Sequence, residues 1–233
     1  MRLRLFSLDL FCYNKPMITI FNPTKLTGQP FFKDLINYLN SHDEVILRHI
    51  KRDFPEVKNL DKQLEDYIQA GYILRENKRY RLNLPLLETV EEVTLDSHIM
   101  VDTESPVYGE LLALSFETVL ANQTNDALIV EASSLTREEL TLANYFHKLR
   151  TAQPFSEKQE KLYEILGDVN PEYALKYMTT FLLKFARKNE VKQKRRDIFV
   201  DALELLGYVE KIAEQTYGLG MAFDADTLTF TRK

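Results

Sequence analysis

The chain has 233 residues, a hydrophobic content of 45%, a charged content of 28% and a formal net charge of −5. These values are typical of a folded globular protein with a sizeable core, and they exclude a collagen-like or low-complexity chain. No apolar run approaches the roughly 20 residues that a membrane-spanning helix needs, so we expect no membrane association. The lone cysteine, Cys12, excludes an internal disulfide and fits a reducing, cytoplasmic environment.

The charge is distributed unevenly along the chain. Residues 1–84 contain 14 Lys/Arg against 10 Asp/Glu, residues 85–153 contain 3 against 12, and residues 154–233 contain 13 of each. The middle block therefore supplies all of the net negative charge. Because local fields govern how charged partners approach, this acidic middle region either docks a protein partner or acts as a soluble spacer.

The first sixteen residues, MRLRLFSLDLFCYNKP, differ from the chain that follows. Their apolar part suggests a signal peptide, but Asp9 interrupts it and no small-residue cleavage site follows. Met17 opens a second plausible start. We therefore expect residues 1–16 to be an upstream extension outside the fold.

Residues 17–84 are predicted to form a small module of three helices and a hairpin. A broad apolar face predicts a first helix over 30–40, and Asp43 is a suitable N-cap for a second helix that Pro55 ends. These two helices precede a stretch whose apolar spacing changes from helical to strand-like within a few residues.

That stretch, residues 59–84, predicts the third helix and the hairpin. Its first part has one apolar stripe at helical intervals, with Asn59 as the expected N-cap and Gly71 as the left-handed residue after the helix. An apolar run at 72–74, a tight turn at 76–78 and strict alternation at 79–84 then predict two antiparallel strands. We call this hairpin, residues 72–84, the first wing.

The acidic middle region, residues 85–153, has a less definite pattern. Apolar clusters within 93–101 predict one or two strands, 106–120 has helical spacing, and 127–130 is a short buried-strand candidate. Thr136 and Glu139 have the spacing of a capping box, which predicts that a helix begins there. A parallel strand–helix–strand unit and a mostly helical linker are both compatible with this order.

Residues 154–233 repeat the order of the first module. Ser156 and Gln159 have the spacing of a second capping box, Pro171 suits the first position of another helix, and we expect a break near Asn189. A last helix is then expected to begin near Val191 and to end at Gly207. It precedes a longer hairpin with its turn at 218–220 and its final strand at 227–231.

Two segments carry a resemblance to known proteins. LEDYIQAGYI at 64–73 and VDALELLGYV at 200–209, each followed by a predicted hairpin, resemble the third helix and wing of winged-helix modules. From MITIFNPTKL onward the chain also resembles a bacterial family known only as a domain of unknown function. We therefore expect a predominantly helical α+β protein in which two winged-helix-like modules, 17–84 and 154–233, flank the acidic middle region.

The winged-helix resemblance implies a binding module and no reaction. In that fold the third helix usually enters the major groove and the wing contacts phosphates. The run 184–196 holds seven cations against one carboxylate, so it is the strongest candidate for phosphate contacts. The nucleic-acid-binding candidates are Arg75, Lys78, Arg79 and Arg81 in the first wing, and Lys188, Lys192, Lys194, Arg195 and Arg196 at the expected helix start.

The cations at the expected helix start near Val191 can be interpreted in two ways. Four cations in a first turn are unfavourable beside the partly positive helix N-terminus, and a bound phosphate would relieve this. The alternative is a solvated basic face, or one continuous helix that has no terminus at this position.

No catalytic or metal-binding pattern is found in the sequence. The four histidines are scattered without metal-ligand spacing, and no nucleophile elbow, phosphate-binding loop or dinucleotide fingerprint is present. We expect no cofactor, no metal and no enzymatic activity. The leading hypothesis is a cytoplasmic, non-enzymatic protein that binds nucleic acid. The alternatives are a protein–protein interaction or scaffold module without nucleic-acid affinity, and an enzyme with a site in the middle region.

We expect a chain that begins at Met17 to melt within about 2 °C of the full chain, because removing an unpacked tail leaves the free energy of unfolding nearly unchanged. Thermal unfolding of both chains, followed by circular dichroism, measures the difference. A fall of about 8 °C would show that the extension packs in the core.

Overall fold

The computed structural model describes residues 17–42 and 45–232. Of these residues 37% are helical and 22% lie in strands, arranged as eight α-helices and four β-sheets. The fold is mixed α+β, so the expectation of a predominantly helical protein is wrong. Low glycine and proline content favours helix locally, whereas strand formation depends on distant partners that local spacing does not reveal.

The chain divides into two compact units, residues 1–112 and 113–233. The acidic middle region is shared between them, with 85–112 in the first unit and 113–153 in the second. The expected upstream extension, residues 1–16, and the expected cap Asp43 lie outside the described residues.

The first unit combines helices with two small antiparallel sheets. One sheet pairs β1 with β5, and the other has the strand order β2-β4-β3. The elements are β1 Ile18–Phe21, α1 Pro30–Asn40, β2 Val45–Ile46, α2 Leu47–Asp53, α3 Leu60–Gln69, β3 Ile73–Glu76, β4 Arg79–Leu82, β5 Ile99–Asp102 and α4 Pro106–Ala113.

Aromatic residues of α1 and α3 form the centre of the first core. Phe32 and Tyr67 are fully buried, and their rings meet edge to face with centroids 4.9 Å apart. The Tyr67 hydroxyl donates to Gln29 Oε1 at 2.8 Å, so the buried ring keeps a polar partner. Ile73 and Tyr80 of the hairpin are buried in the same cluster, which fixes the first wing against the helices.

The hairpin of the first wing is confirmed, but two details before it are wrong. Val45 and Ile46 form strand β2 opposite Tyr80 and Arg79, so the second helix begins only at Leu47. Asn59 has a φ of 56° and its side chain makes no capping hydrogen bond. β-Branched residues such as Val45 pack well in a sheet, and the partner strand lies too far along the chain to be read from local spacing.

The second unit contains a three-stranded and a four-stranded sheet. The strand orders are β8-β10-β9, all antiparallel, and β11-β12-β7-β6, in which β12 and β7 are parallel. The elements are β6 Phe116–Leu120, β7 Leu128–Ser133, α5 Leu142–Thr151, α6 Glu157–Leu166, α7 Pro171–Leu182, the 3-10 helix Leu183–Ala186, β8 Glu190–Lys192, α8 Ile198–Leu205, β9 Val209–Ala213, β10 Thr216–Leu219, β11 Ala222–Asp224 and β12 Thr229–Thr231.

Local capping chemistry decides where the helices of this unit begin. The capping box of Ser156 and Gln159 is confirmed, and Pro171 occupies the first turn of α7. The box at Thr136 is wrong, because α5 begins at Leu142 and the Thr141 side chain accepts from the Asn144 amide. Each helix therefore starts where a side chain satisfies a free backbone amide.

Three strand assignments also differ from the sequence-based expectation. The expected helix at 106–120 ends at Ala113, and Phe116–Leu120 is strand β6, paired with β7. Gly218 lies within β10, and the turn before that strand falls at Gln215, where φ is 50°. The final strand, β12, pairs with β7 and β11 and not with the preceding hairpin. All three depend on which strands pair, and the spacing within a single segment does not indicate its partner.

Gly71 and Gly207 have φ angles of 80° and 74°, which confirms the left-handed positions predicted after two helices. A Cβ at either glycine, or at Gly109 within α4, would meet no atom within 4 Å. We expect Gly71→Ala and Gly207→Ala each to lower the free energy of unfolding by about 1 kcal/mol through backbone strain alone. Gly109→Ala, in a helix, should raise it by roughly 0.5–1 kcal/mol. Urea unfolding measures all three, and equal effects at the three positions would contradict the backbone explanation.

Candidate cationic site

The last helix does not begin among the cations. Glu190–Lys192 is strand β8, and α8 begins at Ile198, so the expected start near Val191 is wrong. Asp197 caps the helix, and its carboxylate accepts from the Phe199 amide at 2.9 Å. The cations before Asp197 therefore lie on a strand and a loop, and a carboxylate already occupies the helix N-terminus.

Lysine and arginine side chains surround a concave surface of about 790 Å³ between the end of α7 and β8. Its apolar part comes from Leu183, Val191 and Leu228, and Glu190 is the carboxylate among the lining residues. The cations that line it are Lys184, Arg187, Lys188 and Lys192. We call this surface the cationic pocket.

The cations of this segment are exposed and lack carboxylate partners. Within residues 17–42 and 45–232, no ion pair involves Arg187, Lys188, Lys192, Lys194 or Arg195. The Lys184 ammonium lies over the Phe181 ring, 4.8 Å from its centroid, and this contact leaves its positive charge uncompensated. The segment therefore presents a concentrated positive surface.

The candidates of the first wing are divided between two faces of the hairpin. Arg75 lies opposite the buried Tyr80, and Arg81 lies opposite Leu74. Residues directly opposite each other share a face, and neighbours along a strand alternate. Arg79 and Arg81 thus share the outer face, whereas Arg75 is on the face that contacts the helices.

Carboxylates also compensate much of the first wing. Arg75 forms an ion pair with Glu65 of α3, and Arg81 forms one with Glu76 at 3.3 Å. Lys78 occupies the hairpin turn with a φ of 64°. Of the predicted set in the second unit, Arg196 is likewise paired, with Asp201 at 2.7 Å. Exposed ion pairs contribute little to stability, but each carboxylate weakens the local positive potential.

The structure thus brings together Lys188 and Lys192 from the predicted set and adds Lys184 and Arg187. The charge run at 184–196 contained the signal for the added pair. The sequence could not show which of these cations share a concave surface, because their arrangement depends on the pairing of β8 with β10.

A buried carboxylate in the second unit is the other chemically distinctive group. Glu131 of β7 is 2% exposed, and its two oxygens accept from the Leu142 amide at 3.0 Å and the Ala143 amide at 2.9 Å. Burial raises the pKa of Glu131 to about 7, against the opposing effect of these amides and of Arg232. Both oxygens hold the start of α5, which favours a structural role over acid–base chemistry.

The raised pKa of Glu131 predicts how stability depends on pH. Its stabilising contribution is complete below the unfolded value of 4.5 and is lost as the pH rises through about 7. We compare the unfolding free energy of the wild type with that of Glu131→Gln. From pH 4.5 to pH 8, the wild type should lose more than about 1 kcal/mol of stability relative to the variant. Urea unfolding at a series of pH values measures this difference, and a difference independent of pH would contradict the buried, raised-pKa carboxylate.

Comparison with known proteins gives one family match, and it lies almost wholly within the first unit. Residues 18–114 match the model of a family described as Domain of unknown function (DUF1803), which confirms the resemblance to such a family. The winged-helix resemblance is not confirmed. Neither the curated proteins nor the solved structures contain a match to the chain. The cationic pocket lies outside the matched residues.

Two structural findings bear on the chemistry of the chain. Across the described residues, no helix is long and apolar enough to cross a bilayer. In that same part of the chain, no three His, Cys, Asp or Glu side chains are grouped so that they could hold a metal ion.

Proposed function

We propose that the second unit is a non-enzymatic, cytoplasmic binding module that holds the phosphate backbone of a nucleic acid. The contacts come from the cationic pocket and from the adjoining Lys194 and Arg195. One observation carries the proposal: the six cations between positions 184 and 195 are exposed, none forms an ion pair with a carboxylate of the described residues, and four of them line one concave surface.

The chemistry of this surface suits phosphates better than base edges. Lysine ammonium groups on flexible stems act as mobile point charges, which follow a backbone and carry little geometric information. Neutralising several phosphates releases condensed counterions, so affinity gained in this way falls steeply with salt. The proposal therefore implies tight binding at low salt and weak sequence preference.

The order of the elements supports phosphate contacts from both hairpins, as wings make in winged-helix modules. In the first unit β2 precedes two helices and the strands β3 and β4, and the sheet order is β2-β4-β3. In the second unit β8 precedes one helix and the strands β9 and β10, and the sheet order is β8-β10-β9. We assign the smaller share of phosphate binding to the first wing, because Arg75 and Arg81 are already paired.

A different observation favours docking of a protein partner to the first unit. A concave surface of about 520 Å³ there is lined by residues 85–89, 91–93 and 97–99. Its carboxylates, Glu88, Glu91 and Glu92, take part in no ion pair of the described residues. This acidic surface fits a basic segment of another protein, which is the scaffold alternative to nucleic-acid binding.

We expect Lys188→Glu with Lys192→Glu, and Lys194→Glu with Arg195→Glu, each to weaken binding to all sequences alike. Phosphate contacts carry no base information, so sequence preference should survive. The slope of log affinity against log salt should shrink by roughly 0.9 per lost contact on duplex DNA and roughly 0.7 on single strands. Fluorescence anisotropy with labelled duplex DNA, single-stranded DNA and RNA at several salt concentrations measures both quantities.

The matched control is Lys158→Glu with Lys161→Glu, two exposed lysines of α6 in the same unit. It changes the net charge by the same amount and leaves the cationic pocket intact. Equal weakening by this control would show that total charge, and not this surface, governs binding. Absence of wild-type binding to all three nucleic acids at low salt would make the proposal wrong and the scaffold alternative the first choice.

Arg79→Glu with Arg81→Glu tests the share assigned to the first wing. Both side chains lie on the outer face of the hairpin, so the first unit should remain folded. We expect a smaller loss of affinity than for the pocket variants, because Arg81 already has a carboxylate partner. A loss as large as theirs would contradict this division of the phosphate contacts.

A further inference from the structure

Two tyrosines on α7 are exposed to solvent although their rings pack against each other. Tyr173 is 52% exposed and Tyr177 is 40% exposed, and their ring centroids lie 4.6 Å apart. The Tyr177 ring is parallel to that of Phe199, with an interplanar angle of 7° and centroids 5.4 Å apart. Phe199 is buried in the core of the second unit, so it fixes the orientation of an otherwise solvent-facing ring. We call Tyr173 and Tyr177 the aromatic pair.

The aromatic pair and the cationic pocket lie along α7 and the 3-10 helix, Leu183–Ala186, that directly follows it. Positions 173, 177, 180 and 184 follow helical spacing, and all four side chains are exposed. Thr180 and Lys184 line the cationic pocket, so the pair and the pocket are the two ends of one stripe. At a rise of about 1.5 Å per residue, the stripe from Tyr173 to Lys184 is roughly 16 Å long.

The charges along the stripe favour an anionic occupant. The Lys176 ammonium lies 5.7 Å from the centroid of the Tyr177 ring, and Lys184 marks the other end. Glu172, next to Tyr173 in the sequence, accepts from the Gln123 amide at 2.5 Å, and Glu190 is an exposed carboxylate that four cations outnumber in the lining of the cationic pocket. An exposed aromatic patch alone would also suit a protein partner, but its continuity with unpaired cations favours a polyanion that carries aromatic groups.

We propose that the stripe binds single-stranded nucleic acid, with bases stacked on the aromatic pair and phosphates held by Lys176, Lys184 and the cationic pocket. This inference rests on the proposed function and narrows its ligand from nucleic acid in general to single strands. In a duplex the faces of the bases are covered by their neighbours, whereas an open strand offers every base for stacking. Stacking of this kind tolerates any sequence, which agrees with backbone contacts that carry no base information.

The first test compares strands with and without bases. The wild type is titrated by fluorescence anisotropy with a labelled oligothymidylate, an abasic strand of equal length and a duplex. We expect the oligothymidylate to bind roughly tenfold or more tightly than the abasic strand, because each stacked base contributes affinity that the backbone cannot replace. This comparison needs no variant and so does not depend on how substitutions fold.

The second test removes the rings. Tyr173→Ala with Tyr177→Ala should weaken oligothymidylate binding roughly tenfold or more, leave abasic-strand binding unchanged and leave the salt slope unchanged. Tyr173→Phe with Tyr177→Phe keeps both rings and should bind within about twofold of the wild type. Tyr163→Ala removes another exposed tyrosine, on α6, and serves as the matched control with no expected effect.

The outcomes separate this inference from the proposed function. Equal wild-type affinity for the abasic strand and the oligothymidylate, or unchanged binding by the alanine variant, would overturn the stacking surface and leave salt-dependent phosphate binding in place. Preference for the duplex over the single strand would also overturn it. Absence of wild-type binding to every strand at low salt would overturn both proposals together.

Discussion

The pairing of β8 with β10 is the interaction on which the candidate site depends. Val191 lies opposite Tyr217, and both side chains are buried. Alternation along the strand then turns Glu190 and Lys192 to the outer face. Beyond the strand, the Gln193 amide donates to the Gln215 carbonyl at 2.8 Å, which extends the attachment by one residue. A helix that continued from α7 would distribute the cations around its circumference. The chain instead forms strand β8, and four of the cations lie together beside the end of α7.

A concentration of unpaired cations opposes folding through mutual repulsion, although solvent reduces the effect. At physiological ionic strength, charges more than about 8 Å apart are largely screened. The same screening explains how a chain with a net charge of −5 can hold an anion, since only nearby charges act strongly on a bound phosphate. Carboxylates paired with Arg75, Arg81 and Arg196 show that the chain can compensate exposed arginines elsewhere. Among the described residues, the cations from Arg187 to Arg195 form no ion pair although Glu190 lies between them, and this local feature suits an external anion.

Features set by neighbouring residues could be predicted from the sequence. Gly71 and Gly207 adopt positive φ because a helix ends at each, and the capping box at Ser156 depends on residues only three apart. Features set by distant residues could not. Thr229 of β12 lies opposite Leu128 of β7, and Val45 of β2 lies opposite Tyr80 of β4. The apolar spacing within a strand does not indicate which distant strand it pairs with.

The same distinction applies to the candidate site. The cation run was visible in the sequence, but its concave shape and the pairing of Arg75, Arg81 and Arg196 depend on tertiary contacts. Helical spacing shows which residues share a face of α7, but it does not show whether that face is buried. Tyrosines near an apolar stripe are therefore indistinguishable from core residues until the exposure of Tyr173 and Tyr177 is measured.

The family match and the division into units separate the two kinds of binding surface. The matched residues end at 114, beside the boundary at 112, so the match covers the first unit with its acidic concave surface. The cationic pocket and the aromatic pair belong entirely to the second unit. A protein that shares only residues 18–114 with this chain would have the acidic surface and the first wing, and it would lack the unpaired cations. Nucleic-acid binding is therefore proposed for this chain through residues the family model does not describe, and it does not extend to the family through the match.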